Sequence, residues 1–525
     1  MNKKIYSFLG KCAAVAMISL APMGCGPSYL DEANVFTNLS GDNFYQTAEH
    51  AQLAIDATYT PLQYQGLYRR LRYLLGFMSG DLDITSGGFQ LAEYPGFNFN
   101  ATSAELIPKA WEACYTGINR ANVVLEKVPA ISDALFEAGK KEQILAEAQF
   151  LRGFYYFQLV RMYGGVPIYE QPFDGDLDGA YFQPERNSEA EVYALIEQDF
   201  AAAAATLPTS YTGANIGRAT AGAAQAFLGK AQLYQQKYAE ASATLKQIID
   251  GSFGSFELVA FQDNFTRGNE NNAESLFEVQ FVNNVGRGFT DRDGAQTAEG
   301  NWMSFALNPS RIRGFANGVP SVEVNDFFNQ YPEEDTIRRK FTIARPGDVW
   351  GDWNPIAEDP IASGQWRDRT GERLDADGNP IILGVRKGCE GQLFNRFVDS
   401  PVNVRVMRYA EVLLLFAEAE NEVNGPTADA YEAINEVRRR AAVSELPSGL
   451  NQDEFFERVV IERRLELTFE FQRWFDLVRW SRKSNVPAIA DPAQMPGFVV
   501  GKHEYLPIPS TERIANPNLI QNPNY

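Results

Sequence analysis

The C-terminal segment, residues 505–525, constrains the fold more than any other stretch of this chain. It carries Pro507 and Pro509 in extended spacing, two Asn-Pro-Asn triplets at 516–518 and 522–524, and tyrosine at both ends. Proline fixes φ, lacks an amide donor and drives the residue before it to extended geometry. The segment therefore reads as non-helical. Its apolar content is too high for a loose terminus, which is usually poorly ordered. The expectation is an extended strap over residues 482–525, laid across a folded body.

At the other end, residues 1–24 read as a lipoprotein signal peptide. Lys3, Lys4 and Lys11 supply positive charge, and the run 13–21 is apolar except for Ser19. That run is too short to span a bilayer. Gly24 and Cys25 then form the small-residue-plus-cysteine step that lipoprotein signal peptidase reads. Cleavage after Gly24 and lipidation of Cys25 would make a lipid the membrane attachment. Ordinary secretion, with Cys25 left as a thiol, is the alternative.

The formal charge is −20. Loss of residues 1–24 removes three lysines and no acids, which takes it to about −23. Nucleic acid and anionic membrane surfaces are poor partners for such a chain. Cys12 lies in the signal, so Cys114 and Cys389 remain as either one disulfide or two buried thiols. His50 and His503 are the only histidines, which weakens histidine-based catalysis. There is no Cys/His cluster of metal-binding spacing, and neither a metal nor a cofactor is expected.

Helical periodicity dominates residues 40–250 and returns from Val404 to about Ser481. A helix containing Trp111, Tyr115, Ile118 and Ala121 ends at Pro129. Another, with Phe150, Phe154, Phe157 and Val160, ends at Gly164-Gly165. A third opens on a Ser188 cap and ends at Pro208. Leu228-Gly229, Tyr238, Ala241, Leu245 and Ile248 match tetratricopeptide offsets, in which glycine and alanine let two helices approach closely. Residues 409–440 give a second helix pair, so the helices are expected to stack into one solenoid-like core. In the stretch 461–480, Glu470 with Arg473 and Asp476 with Arg479 are three apart and are expected to pair.

The middle, residues 252–403, is different. It is rich in Gly, Asn, Asp, Trp and Pro, with one alternating stretch, 274–281, that reads as a strand. It is expected to be a loop-rich insertion on the helical scaffold, where binding residues concentrate. Asp375-Ala-Asp-Gly-Asn379 imitates the start of a calcium loop, but its glycine is two places early and Arg386 stands where a terminal glutamate is required. It reads as a turn, as does Asp291-Arg-Asp-Gly294.

Several segments resemble the SusD/RagB family of outer-membrane nutrient-binding lipoproteins. They are Ser28-Tyr-Leu-Asp31 after the lipid cysteine, the helix from Trp111 to Leu125, and the aromatic run from Ala146 to Pro167. Arg408 to Ala419, Glu462-Arg-Arg-Leu-Glu-Leu467, Arg473-Trp-Phe-Asp-Leu477 and the C-terminal strap follow in the family's order. The resemblance covers essentially residues 25–525 as one domain. It implies a mainly α fold: tetratricopeptide-like helix pairs in a right-handed superhelical scaffold, carrying the loop-rich, partly β insertion. It implies no catalysis. It also implies a surface-exposed, lipid-anchored protein of the outer membrane that captures glycan and delivers it to a SusC-like TonB-dependent β-barrel for import. Some branches of the family serve peptide import instead.

A glycan site needs flat aromatics for C–H faces and polar groups for hydroxyls. Two regions qualify, and in the family the equivalent loops tend to form the site. One is the loop 81–100, with Asp81, Asp83, Phe89, Gln90, Glu93, Tyr94, Phe97 and Asn98. The other is 301–366, with Trp302, Phe305, Arg311, Arg313, Trp350, Trp353 and Trp366. Tyr94 and Trp302 lead the two groups. A glycoside hydrolase would need a defined carboxylate pair, and 67 acids make a chance pair uninformative.

Overall fold

The computed structural model describes residues 44–84, 91–173, 183–282, 300–307, 317–333, 337–345, 348, 383–389 and 400–525, apart from the side chains of Leu71 and Phe305. The signal segment and Cys25 lie outside these residues, as do 291–294 and 375–379.

Helix α1 (Ala48–Tyr59) opens where the Thr47 hydroxyl accepts the His50 amide. The one-turn α2 (Leu74–Met78) leads into β1 (Leu82–Ile84). Two long helices follow, α3 (Leu106–Lys127) and α4 (Lys140–Tyr163). Next comes α5 (Glu189–Thr206), opened by a reciprocal box in which Ser188 caps the Glu191 amide and Glu191 accepts the Ser188 amide. Helices α6 (Ala221–Tyr234) and α7 (Tyr238–Ile249) are the expected tetratricopeptide-like pair. A Cβ on Gly229 would stand 2.7 Å from Leu245 Cγ, so that helix crossing requires glycine.

The chain then leaves the stack. It forms β2 (Ser275–Val279), α8 (Met303–Leu307), β3 (Gly318–Pro320), α9 (Val322–Asn329), α10 (Arg338–Thr342), β4 (Ile343–Ala344), β5 (Gly384–Val385) and β6 (Val404–Arg408). It re-enters through α11 (Tyr409–Asn424), α12 (Ala428–Arg440), α13 (Gln452–Leu467) and α14 (Arg473–Trp480), and a last short helix, α15 (Ser510–Ala515), lies in the tail. Each helix from α3 to α7 packs on the next, α7 packs on α11, and α11 packs on α12 and α13. The stack is therefore continuous across the excursion. Strands β2 and β6 pair antiparallel, from Ser275 opposite Arg408 to Val279 opposite Val404, with two register irregularities. They form a neck through which the middle segment leaves and returns, and Asn301 bridges Ser400 beyond it.

Three expectations are corrected. Helices resume at Tyr409, not Val404, because the alternating Val404 and Val406 are drawn into β6. Glu470 does not meet Arg473: Phe469 and Phe471 adopt positive φ values of 64° and 58°, which breaks the helix between α13 and α14. Asp476 and Arg479 do pair, at 2.9 Å. Third, the tail is not wholly extended, since Ala488–Ala490 and Pro492–Gln494 form 3-10 turns and six residues between Pro509 and Asn516 close into α15.

The rest of the tail is an ordered strap. The Leu506 amide donates to Met162 O at 2.7 Å. Asn522 Nδ2 donates to Tyr163 O at 3.0 Å and Leu506 O at 2.7 Å. Arg186 clamps both parties, donating to Tyr163 O at 3.0 Å, Gly165 O at 2.7 Å and Asn522 Oδ1 at 2.8 Å. The final carbonyls of α4, which no helix partner can satisfy, are thereby closed by the strap. Cys114 and Cys389 are both buried and are not joined to each other.

Candidate functional site

Buried charge fixes the middle segment to the helices. Glu466 of α13 has Arg408 at 3.0 Å and Arg338 at 3.3 Å, with Arg440 also in contact. Arg408 also pairs with Glu470 at 2.7 Å and with Glu274, Lys387 meets Glu470 at 2.6 Å, and Arg338 meets Glu462 at 2.6 Å. All these side chains are at most 10% exposed. Burial pushes the Glu466 carboxyl upward, but Arg440, Arg408, Arg338 and Lys387 together pull it down to about 2. Burial lowers Lys387 to about 8 against the pull of Glu470 and Glu466.

The residues expected at the ligand site divide sharply. Asp81 is buried 3.2 Å from Arg464 and 3.6 Å from Arg473. It is a structural counter-ion, and burial raises its carboxyl despite both arginines. Tyr94 is 0% exposed, its hydroxyl accepts the Leu106 amide at 3.1 Å, and its ring stacks on Phe99 at 5.5 Å. Phe97, at φ 54°, packs among Phe99, Trp474, Phe498 and His503. Trp302 is 5% exposed, and the Arg70 guanidinium covers its ring at 4.2 Å. Asp81, Tyr94, Phe97 and Trp302 thus have no open face for a ligand, contrary to expectation. Each has found an intramolecular partner: a counter-ion, another ring or a guanidinium.

Asp83 is half-buried on β1 and Asn98 is exposed. Phe89, Gln90, Arg311, Arg313, Trp350, Trp353 and Trp366 lie outside the described residues, as does the side chain of Phe305. What the structure does supply is their anchorage. Strands β1 and β3 pair antiparallel with Ile84 opposite Gly318. Residues 85–90 follow Ile84, and residues 308–316 precede Asn317 and Gly318. Residues 85–90 and 308–316 therefore join the body at the same end of one small sheet, although they are more than two hundred residues apart in sequence, whereas Trp350, Trp353 and Trp366 fall between β4 and β5.

A cavity of about 60 Å³ lies beneath, lined by Tyr68, Arg72, Met303, Lys387 and Phe469 among others. Tyr68 and Arg72 keep buried polar atoms that have no hydrogen-bond partner among the described residues. The space suits ordered water rather than a sugar. Among the described residues, no His/Cys/Asp/Glu group is placed to hold a metal and no helix is long and apolar enough to cross a membrane.

Residues 260–525, half of the chain, match the SusD family. The chain belongs to the SusD family. Residues 93–233 match a second, SusD-like family described as starch-binding and associating with the outer membrane. The chain is 27% identical over 532 residues to SusD-like protein P2 of Formosa agariphila, covering 97% of this chain and 98% of that one. A SusD-like protein of Bacteroides ovatus is 25% identical over 496 residues, covering 90% and 82%. Among solved structures, a laminarin-binding SusD-like protein superposes with TM-score 0.74 at 25% identity, over 92% of this chain and all of that one. Surface glycan-binding protein A from Bacteroides thetaiotaomicron, in complex with laminarihexaose, shares the fold at TM-score 0.71 and 22% identity, over 91% of this chain and all of that one.

Two outcomes follow from the buried charges. Glu466→Gln leaves Arg408 and Arg440 undercompensated and should cost about 3–5 kcal/mol in urea unfolding. Glu432→Gln, on an exposed pair with Arg439, should cost under about 1 kcal/mol. His503 accepts the Val499 amide at Nδ1 (2.9 Å), and burial, then Lys502, lowers it to about 4. The folded state therefore prefers neutral His503. Its contribution is complete above the unfolded value of about 6.5 and fades as pH falls toward 4. Thermal melts of wild type and His503→Asn should converge over that window, and a constant gap would contradict the assignment.

Proposed function

We propose that this protein captures glycan at the cell surface and delivers it to a SusC-like TonB-dependent barrel for import. It binds rather than catalyses. The observation that carries the reading is whole-length agreement, over 92% of the chain, with a laminarin-binding protein of the same fold. The strongly acidic chain favours neutral ligands over anionic ones. A lipid on Cys25 would tether the body to the outer membrane, leaving the helical stack as the rigid part that meets the barrel.

The proposed ligand site is the face at the end of the β1–β3 sheet. Asp83 lies on β1, and Asn98, Phe89, Phe305, Arg311, Arg313, Trp350, Trp353 and Trp366 are its candidate platforms and hydroxyl partners. Rigid support beneath loops is the usual arrangement of a binding face.

Isothermal titration of residues 26–525 against amylose, laminarin, xylan, mannan and alginate tests this. Binding to a neutral polymer, weakened about tenfold or more by Trp350→Ala or Trp353→Ala, is expected. Binding to peptide mixtures, with no affinity for any glycan, would overturn the reading.

A further inference from the structure

We infer that a cleft formed by α3, residues 167–173 and α15 is a second glycan subsite, built for a short neutral oligosaccharide. The inference rests on the glycan-capture reading and adds a location built on other elements than the β1–β3 sheet. The cleft encloses about 450 Å³, within the range of small-ligand pockets.

Aromatic rings line it in a chain. Trp111 forms part of the buried lining, its ring 5.0 Å from that of Tyr115, and Tyr115 meets Tyr169 edge-to-face at 5.6 Å. Tyr169 is half-buried and Phe173 is 40% exposed, so both present ring surface at the opening. Three charged residues also line it: the exposed Glu112, the half-buried Glu512 of α15, and Arg120, whose guanidinium donates to Ala57 O at 2.7 Å.

The wall is already fixed without a ligand. The Tyr115 hydroxyl donates to Pro167 O at 2.8 Å, and the Tyr169 amide donates to the Tyr156 hydroxyl at 2.7 Å. The Phe173 amide donates to Asn119 Oδ1 at 2.9 Å. Asn122 Nδ2 donates to Tyr169 O at 2.8 Å and Gln171 O at 3.2 Å. This consumption of backbone groups decides the ligand class. A peptide adding as a strand needs free amides and carbonyls along an edge, and here they are occupied by side chains. Recognition falls to ring faces and carboxylates. Ring faces suit the C–H surface of a sugar, and carboxylates accept its hydroxyls.

The acids also set the charge of the ligand. Burial raises the Glu512 carboxyl and Glu112 raises it further, and among the lining residues these two acids face one cation, Arg120, so acids outnumber cations there. A sulfated or uronic sugar would add to that repulsion, whereas a neutral one would relieve none of it and suffer none.

The test is affinity electrophoresis of residues 26–525 through gels containing amylose, laminarin, xylan, mannan or alginate. Wild type, Phe173→Ala, Tyr169→Ala, Glu112→Gln and Trp353→Ala are compared, with matched thermal melts as the folding control. Phe173 is exposed enough that its replacement leaves the core intact. The expected result is retention by a neutral polymer that falls about fivefold to tenfold in Phe173→Ala and Tyr169→Ala. Glu112→Gln should improve retention by alginate relative to wild type. Wild-type retention in Phe173→Ala and Tyr169→Ala, alongside loss in Trp353→Ala, overturns the second subsite and leaves glycan capture standing. No retention of the folded wild type by any polymer overturns both.

Discussion

The middle segment is tied to the helical stack through a buried charge network centred on Glu466. Three arginines touch that carboxylate, and Lys387, paired with Glu470, adds its charge nearby. Arg338 and Lys387 come from the middle segment, Arg408 from the neck strand and Arg440 from the end of α12. Buried ion pairs repay little net stability, because desolvation offsets attraction, but removing one partner is costly. The network therefore serves best as a lock. The observed docking of the middle segment satisfies Glu274, Glu462, Glu466 and Glu470 together.

That lock makes sense of the division of labour. Contact from α7 to α11 keeps the stack continuous, and the excursion between them packs into the same core, with Phe277 5.1 Å from Phe150 and 5.6 Å from Phe154. The strap works from the other side. By closing the end of α4 through Asn522 and Arg186, it also carries α15 to the lip of the aromatic cleft. Order in the tail is thus a condition for that cleft to exist.

Local signals were legible in the chain. The Ser188 cap, the Gly164 stop and the Gly229 close approach are encoded within a few residues, and each reappears where the spacing puts it. The family resemblance carried the architecture. Side-chain exposure was not legible, because it depends on partners remote in sequence. Tyr94 and Trp302 look like platforms until the Leu106 amide and the Arg70 guanidinium claim them. Glu470 and Arg473 have helical spacing but lose it to two aromatics at positive φ. The cleft drew no notice because its rings come from α3 and from residues 167–173, while one of its acids comes from the tail. No single stretch contains enough of it to form a motif.

The central claim is that the helical stack is support and the loop-bearing face is the main receptor. The most direct measurement is a crystal structure of residues 26–525 with the tightest-binding oligosaccharide. The account predicts sugar across the end of the β1–β3 sheet, over the segments that follow Ile84 and precede Gly318. Sugar held instead against the faces of α6, α7, α11 and α12, with the β1–β3 end empty, would contradict it.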